Sequence, residues 1–522
     1  MCGIWAYIFR CSEKRLQNYW KNGVEFLEAR GPEETDIKEL DSGVWGFTRL
    51  AINGLTTNGM QPFFLPCNTL TWMCNGEIYN SNILETRHNL KLKSGSDCEC
   101  IGHVYDAVNG DAVALARALD GEFAFILRDD ERGVTIVGRD PYGVRPLFWG
   151  SDAHGGLFFG SERKSIQQFV LKTFAFPPGE VWTIYDTRIE KKRYHTTPWI
   201  KLPLSVNAMP LICSAFEEAV MKRVCTTERP IAALLSGGLD SSLVCAIAQK
   251  ILKTLGKPPL QTFSIGLEGS TDIAFAKKAA DHIGSVHTEV IVTADEMFAA
   301  IPHVIRDIES YDITTVRASV GNWLVAKYIR EHSDCKVVLN GDGSDEVWGS
   351  YKYFKRAPSD ESFDMECERL LDEIHLYDVL RSDRSISAHG LEPRTPFLDK
   401  QFVSLALSIP TEYRRNEKWF LRKAFEPSGL LPDCVLWRAK EAFSDGVSST
   451  EKSWFQEIQE RIKVQDYWQE DALTMNPVPH TSEAYWYRTL FNSHYPNIGD
   501  EWAYWMPRWS PETTDPSART LV

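Results

Sequence analysis

Ile231-Ala232-Ala233-Leu234-Leu235-Ser236-Gly237-Gly238-Leu239-Asp240-Ser241-Ser242 decides how the second half of this chain folds. Five successive apolar residues fit a buried strand. Ser236, Gly237 and Gly238 then let the backbone turn sharply and come close to a ligand. From Leu239 the apolar residues take helical spacing, with Leu243, Ile247 and Ile251 on one face. A strand, a Gly-rich turn and a helix start make an anion site, because free N–H groups and the positive helix end face one point. The hydroxyls of Ser236, Ser241 and Ser242 add donors. Asp240 has the wrong charge to hold phosphate unless a metal ion lies between them. No Gly-Lys-Ser/Thr follows, so the loop is not of the Walker type.

Outward from this stretch, strands and helices alternate. Strands are predicted at Thr262–Ile265, His287–Val292 and Lys336–Leu339, and helices around Ile273–Ile283, Asp295–Ile305 and Asn322–Glu331. That rhythm predicts a parallel sheet with helices on both faces. Ligands of such sheets bind at the carboxyl ends of the strands. Leu235 and Ser236 end one strand, Ile265 the next, and Asn340-Gly341-Asp342-Gly343-Ser344-Asp345-Glu346 follows the last. Acidic residues opposite a phosphate loop suit Mg2+, for which Asp240 and Asp345 are the candidates. Beyond about residue 365 the pattern is mainly helical, and Pro198–Pro210 reads as a linker.

The first 195 residues read differently. Short strands are predicted at Gly3–Phe9, Val44–Thr48, Leu70–Asn75, Glu122–Leu127, Val134–Gly138, Leu157–Gly160 and Val181–Tyr185, a spacing that suggests packed antiparallel sheets. One helix is predicted from Ser12 to Ala29, and another after Ser96-Asp97-Cys98-Glu99, a capping-box pattern. Cys2 is the unusual feature. Removal of Met1 would put a thiol and a free α-amine on one residue, and an amine of pKa roughly 7.7–8.0 can take the thiol proton. Arg49 offers a guanidinium suited to a carboxylate. Asn75-Gly76-Glu77 offers an amide and a flexible backbone N–H, the parts of an oxyanion hole. Asp97 offers a carboxylate to a substrate ammonium. Taken singly, Cys2 is a small apolar residue, Arg49 a surface ion pair, Asn75-Gly76 a turn and Asp97 a helix cap.

The 522 residues suggest two to four domains. Lys plus Arg number 57 against 71 Asp plus Glu, a net charge of −14, which disfavours nucleic-acid and anionic-membrane partners. No apolar run reaches the length of a membrane span, and the first residues lack a signal-peptide pattern. The twelve cysteines contain no Cys-x-x-Cys pair, so a reduced, cytoplasmic protein without a zinc site is expected.

The Ser236–Ser242 string matches the pyrophosphate loop of the N-type ATP pyrophosphatases. Cys2, Arg49, Asn75-Gly76 and Asp97, in this order, resemble the class II glutamine amidotransferase domain. Tyr311–Ser319, Trp437–Gly446, Leu391–Asp399 and Asp515–Arg519 add to these, and together the motifs resemble the glutamine-hydrolysing asparagine synthetase family over essentially the whole chain. The resemblance implies an α/β and α+β protein: an N-terminal-nucleophile αββα sandwich over 2–197, a linker over 198–210, and a parallel-sheet ATP pyrophosphatase domain, adenine nucleotide alpha hydrolase-like, over 211–522. It implies that Cys2 attacks glutamine, that Asn75 and Gly76 hold the oxyanion, and that Arg49, Glu77 and Asp97 bind the rest of glutamine. ATP would lie on Leu235, Ser236, Gly237, Gly238, Asp240, Ser241, Ile265, Asn340 and Gly341, and L-aspartate on Thr314, Thr315 and Arg317. Lys440 would neutralise the activated phosphate, and Asp342 would deprotonate ammonia. A homodimer is also implied. Ala29 and Glu33 stand where that family usually has His and Asp. The alternatives are an amide-forming ligase of the β-lactam synthetase type, against which Cys2 speaks; a sugar amidotransferase, against which Ser236–Ser242 speaks; and a non-catalytic relative, which would have lost central residues.

Overall fold

The computed structural model describes residues 1–9, 20–65, 69–203, 207–440, 446–448, 452–499, 502–510 and 513. The first half contains β1 (Gly3–Ile8), β2 (Glu34–Leu40), β3 (Gly43–Arg49), β4 (Phe63–Phe64), β5 (Leu70–Ile78) and β6 (Gly121–Asp129). After them come β7 (Val134–Arg139), β8 (Phe148–Ser151), β9 (Leu157–Gly160), β10 (Phe174–Ala175), β11 (Glu180–Ile184) and β12 (Ile189–Arg193). They form two six-stranded antiparallel sheets, in the orders β10-β8-β9-β1-β3-β2 and β12-β11-β7-β6-β5-β4. Strand alternation decides what each face meets. Ile4, Ala6, Phe47 and Phe159 of the first sheet pack on Met73, Ala124, Ile126 and Val137 of the second. Trp72, Cys74, Phe123 and Phe125 face the other way, onto helices α2 (Ser81–His88), α3 (Cys100–Ala107) and α4 (Ala112–Ala118). Trp5, Tyr7 and Phe158 pack outward with Val24 of α1 (Trp20–Glu25). These are the αββα layers.

All seven predicted strands of this half are present, within three residues of their expected ends. β2 and β12 escaped notice because both lie at sheet edges and carry charge along Glu-Thr-Asp-Ile-Lys-Glu-Leu and Ile-Glu-Lys-Lys-Arg, without an apolar face to mark them. The predicted Ser12–Ala29 helix ends at Glu25 rather than Ala29, with Trp20–Glu25 its described part; residues 10–19 lie outside the described residues. The capping box at Ser96 is also corrected. The Ser96 side chain caps nothing, and Asp97–Glu99 is a 3-10 turn ahead of α3. Glu99 instead turns back to accept from the Lys93 and Ser94 amides and the Ser94 hydroxyl.

The second half centres on a five-stranded parallel sheet, β15-β14-β13-β16-β17. Its strands are β13 (Ile231–Leu234), β14 (Gln261–Gly266), β15 (Val286–Ile291), β16 (Val337–Leu339) and β17 (Glu392–Arg394). The last was not anticipated: it is three residues long and contains a proline, yet pairs in register with β16. Helices α5 (Met209–Cys225), α6 (Leu239–Thr254), α7 (Thr271–Ile283), α8 (Ala294–Ile308) and α9 (Ile313–His332) surround it. After β16 come α10 (Ser344–Trp348), α11 (Asp360–Glu373) and α12 (Asp378–Ser387). α9 begins nine residues before its predicted start, because Asp312 caps it by accepting from the Thr315 amide at 2.9 Å. Within the expected linker, Leu202 donates its amide to the Ser408 carbonyl and Lys201 pairs with Asp364, while Met209 and Pro210 already belong to α5.

The halves are joined by buried charge. Arg30 pairs with Asp383, Arg223 with Glu122, and Arg394 with Glu77.

Candidate active sites

The first site forms where β1 and β5 face each other between the sheets. Cys2 packs on the inter-sheet core that contains Met73, and its Sγ donates to the Leu50 carbonyl at 3.6 Å. Two positions beyond Met73, Asn75 has the same strand parity. Asn75 is fully buried, and neither its Nδ2 nor its Oδ1 has a hydrogen-bond partner among the described residues. An unpaired buried amide costs stability, so such atoms mark sites where a ligand completes the bonding. Gly76 has φ +149, and a Cβ there would come 2.1 Å from the Glu122 carbonyl oxygen. Only glycine lets the strand lie this close.

Glu77, Asn53 and Asp97 meet beside it. Asn53 Nδ2 donates to Glu77 Oε2 at 2.7 Å and to Asp97 Oδ1 at 3.3 Å, and the Ile78 amide donates to Asp97 Oδ2 at 2.5 Å. Burial raises the Asp97 pKa, partly opposed by those two bonds. Arg49 follows β3 into a loop and donates to the Thr56 carbonyl at 2.9 Å and the Gly54 carbonyl at 2.5 Å. It shapes the loop as well as offering a cation. Asn53 was not anticipated; it lies in a loop without a motif. Glu33, one of the two family departures, accepts from the Ala51 amide at 2.8 Å and pairs with Arg229 of the second half at 2.9 Å.

The structure retains Met1. Its side chain is fully buried, and its amine donates to the Leu391 carbonyl at 3.4 Å. Burial pushes that amine down to about 5 and the Cys2 thiol up to about 11. With Met1 attached, Cys2 therefore has neither a free amine nor an easily ionised thiol.

The second site is a cavity of about 270 Å³ at the carboxyl ends of β13, β14 and β16. Every predicted nucleotide and aspartate residue except Gly237 lines it, as do Asp342, Asp345 and Lys440. Gly237 shapes it from behind: φ is +71, and a Cβ would lie 2.4 Å from the Ala276 amide nitrogen. Ser241 Oγ accepts from the Ser236 amide at 3.1 Å, closing the loop on itself. Arg438, itself on the cavity wall, donates to the Ser236 carbonyl at 3.2 Å and pairs with Asp272 at 2.7 Å, holding the loop in place. Gly341 lets the acidic loop reach the pyrophosphate loop, since a Cβ there would be 2.9 Å from the Ser241 amide nitrogen.

Opposite charges fill the space between the loops. Lys418 Nζ lies 2.7 Å from Asp240 Oδ2 and 2.6 Å from Asp345 Oδ1, and Lys440 Nζ pairs with Asp345 Oδ2. Burial works against ionising Asp345, but Lys418 and Lys440 outweigh it and hold its pKa far below the usual range. Burial likewise disfavours charged Lys440, and Asp345 and Asp240 outweigh it, keeping the ammonium protonated. Lys418 was missed because it belongs to no motif; its φ of +60, unusual for lysine, marks a constrained position. Asp342 pairs with Arg381, yet burial dominates and raises its pKa. Thr314 and Thr315 occupy the first turn of α9, where a carboxylate is favoured by the helix end. Arg317 lines the same wall, but its guanidinium makes a paired contact with Glu483 at 2.8 and 2.6 Å. That pairing was not anticipated. Glu441–Asp445 and Asp515–Arg519, parts of the quoted motifs, lie outside the described residues.

Two sheets with a second-residue cysteine and an unpartnered buried asparagine amide between them, joined to a parallel sheet whose Gly-rich loop opens on a polar cavity, are the two sites expected of a two-headed amidotransferase. Residues 1–195 match the glutamine amidotransferase domain family, and residues 212–366 and 356–517 match the asparagine synthase family. The chain is 42% identical over 562 residues to "Asparagine synthetase [glutamine-hydrolyzing]" of Gallus gallus, covering 100% of this chain and 98% of that protein. It is 42% identical over 566 residues to the protein of the same name from Homo sapiens, covering 100% and 99%. The chain belongs to the glutamine-hydrolysing asparagine synthetase family.

Proposed function

We propose that this chain converts L-aspartate, ATP, L-glutamine and water into L-asparagine, AMP, diphosphate and L-glutamate, with free ammonia able to replace glutamine. The observation that carries this reading is the single cavity gathering both phosphate-facing loops, the α9 start and Lys440. In the first half the Cys2 sulfur attacks the glutamine amide carbon. Asn75 Nδ2 and the Gly76 N–H receive the developing oxyanion, while Arg49, Glu77 and Asp97 hold the amino-acid end. Ammonia leaves, and water releases glutamate from Cys2.

In the second half Ser236, Gly237, Gly238 and Ser241 hold the phosphates. Leu235 and Ile265 flank the adenosine, with Asn340 and Gly341 beneath. Thr314 and Thr315 orient aspartate, and Arg317 shapes their wall through Glu483. The aspartate side-chain carboxylate attacks the α-phosphorus, diphosphate leaves, and β-aspartyl-AMP forms. Lys440 offsets the charge on the phosphate and acyl oxygens, a transition-state task. Ammonia then attacks the acyl carbon, its proton passes to Asp342 Oδ, and AMP departs. The raised pKa of Asp342 suits a base. Asp240 and Asp345 would hold Mg2+: Lys418 Nζ lies 2.7 Å from one carboxylate and 2.6 Å from the other, so both face one cation-sized space, and magnesium needs only one or two carboxylates beside phosphate oxygens. When bound, the ion would neutralise phosphate charge.

We also propose the division into 2–197, 198–210 and 211–522, a homodimer, and a cytoplasmic location without nucleic-acid or membrane partners. The net charge of −14 favours the last, as does the lack, among the described residues, of a helix long and apolar enough to cross a membrane. Light scattering tests the dimer. Asparagine and AMP production from aspartate and ATP, with glutamine or with ammonium, tests the reaction; formation of neither product from either donor would sink it.

A further inference from the structure

α12 presents one face to each site. On one face, Arg381 pairs with Asp342 and, at 2.9 Å, with Asp378, while the Ser382 hydroxyl accepts from Asn340 Nδ2. Asn340 and Asp342 belong to the acidic loop, so this face orders the floor of the synthetase cavity. About a third of a turn round the helix, the Asp383 carboxylate accepts from Arg30 Nη1 at 2.8 Å and from Nη2 at 3.3 Å. One turn on, the Ser387 hydroxyl accepts from Arg30 Nη1 at 2.8 Å. The same guanidinium donates from Nε to the Cys2 carbonyl at 3.2 Å and pairs with Glu162 at 2.9 Å. Arg145 and Arg384 complete the surroundings of Asp383, each at 3.6 Å. A single buried arginine thus bridges the backbone of the proposed nucleophile and the helix that orders the proposed base.

We infer that Asp383 is a positioning residue that couples the two reactions: through Arg30 it ties the placement of Cys2 to the placement of α12, and so to Asp342 and Asn340. The physical warrant is rigidity. A short helix between packed cores moves as a unit, so a shift demanded by aspartate and ATP on one face is felt at Arg30 on the other. Linkage makes the effect reciprocal: if ATP with aspartate alters glutamine affinity, glutamine alters theirs by the same factor. Asp383 touches no substrate in this scheme, which rests on the reading of the two sites given above.

The test uses the full-length enzyme and the Asp383→Asn variant, which keeps the side-chain volume and removes the charge that orients Arg30. Three quantities are read: asparagine formation from ammonium, the glutamate-to-asparagine ratio with glutamine, and the shift in glutamine Kd on adding aspartate with a non-hydrolysable ATP analogue. The wild type is expected to show a shift of about fivefold or more, the low end of ordinary coupling. In the variant the shift should fall below about twofold and the glutamate-to-asparagine ratio should rise, with ammonium-dependent synthesis within about twofold of wild type. Absence of the shift in wild type, or an unchanged shift in the variant, overturns the inference. So does a joint fall of the glutamine and ammonium rates with an unchanged ratio, which is what a merely structural role would give. If Asp383→Asn does not fold, Ser387→Ala removes one acceptor of the same arginine and is read by the same shift, reduced at least twofold. Failure of wild type to make asparagine from either donor would instead refute the proposed function.

Discussion

Asn75 and Lys440 differ in what they do before a substrate arrives. The Asn75 amide is buried with both polar atoms unpaired among the described residues, whereas Lys440 is engaged with Asp345, which Lys418 also holds. At Asn75 a substrate would add bonds to an amide that has none to give up, while Arg49, Glu77 and Asp97 beside it already hold partners. At the proposed synthetase site ATP would enter a set of ion pairs and exchange partners with them. The first arrangement carries its cost in the folded state, since a dry amide without a partner is unfavourable. The second carries its cost at binding, and gains order in return, because the phosphate replaces one counter-charge by another. Electrostatic preorganisation serves both, but a substitution should be felt differently in each.

The largest expected effect breaks the comparison on one side only. Cys2→Ala should reduce glutamine hydrolysis and glutamine-dependent synthesis to background, because an α-amine cannot replace the thiol. Asparagine, AMP and diphosphate should still form with added ammonium. Unchanged glutamine use by this variant would show that the first half is not the amidotransferase.

Asp342→Asn should lower asparagine formation with either donor by roughly 10²–10⁴, the range for a positioned base. β-Aspartyl-AMP should still form, read as oxygen transfer from labelled aspartate into AMP. Loss of that transfer as well would assign Asp342 a purely structural task with Arg381.

Lys440→Ala and Asn75→Ala form the sharpest pair. Each removes one stabiliser, and each should cost on the order of 10²–10³ in the rate of its own half only. Their thermal behaviour should differ. Asn75→Ala removes a group without partners and should leave Tm unchanged or raised. Lys440→Ala leaves Asp345 with Lys418 and the Ser350 hydroxyl and should lower it. Equal Tm shifts, or a loss of both activities in either variant, would erase the contrast.

The smallest effect concerns the thiol itself. With Met1 attached, burial holds the Cys2 pKa at about 11. A raised acid stays protonated to higher pH, so about one thiol in a thousand is ionised at pH 8. Alkylation of a Met1-retaining form should climb about tenfold per pH unit from 8 to 10, since only the thiolate reacts. A flat profile over that interval would mean that burial does not control this sulfur.

Where residue type and chain geometry point the same way, the sequence was readable. Ile231–Leu235 is apolar and is followed by Ser236 and two glycines, and the structure has β13 and its loop there; Gly237 and Gly341 stand where no Cβ fits. What stayed hidden depends on contacts made far along the chain. Lys418 lies 178 residues from Asp240, and Arg30 lies 353 from Asp383. Neither spacing leaves a local pattern. Charged edge strands such as β2 lack the apolar alternation that marks a strand. The pairing of Arg317 with Glu483 joins α9 to the helix Ser482–His494, and no periodicity within either could announce it.

Met1 adds a matter of timing. Its side chain is sealed at the junction of the halves, and its amine reaches Leu391. An aminopeptidase cannot work on a buried end. If Cys2 is to become the first residue, the trimming must happen while the chain is still emerging from the ribosome, before Leu391 arrives to cover it. At about 5–20 residues per second, the 390 residues between them leave roughly 20–80 s. A chain that kept Met1 would leave Cys2 without the free α-amine its proposed chemistry uses, while the ammonium-dependent half would be unaffected.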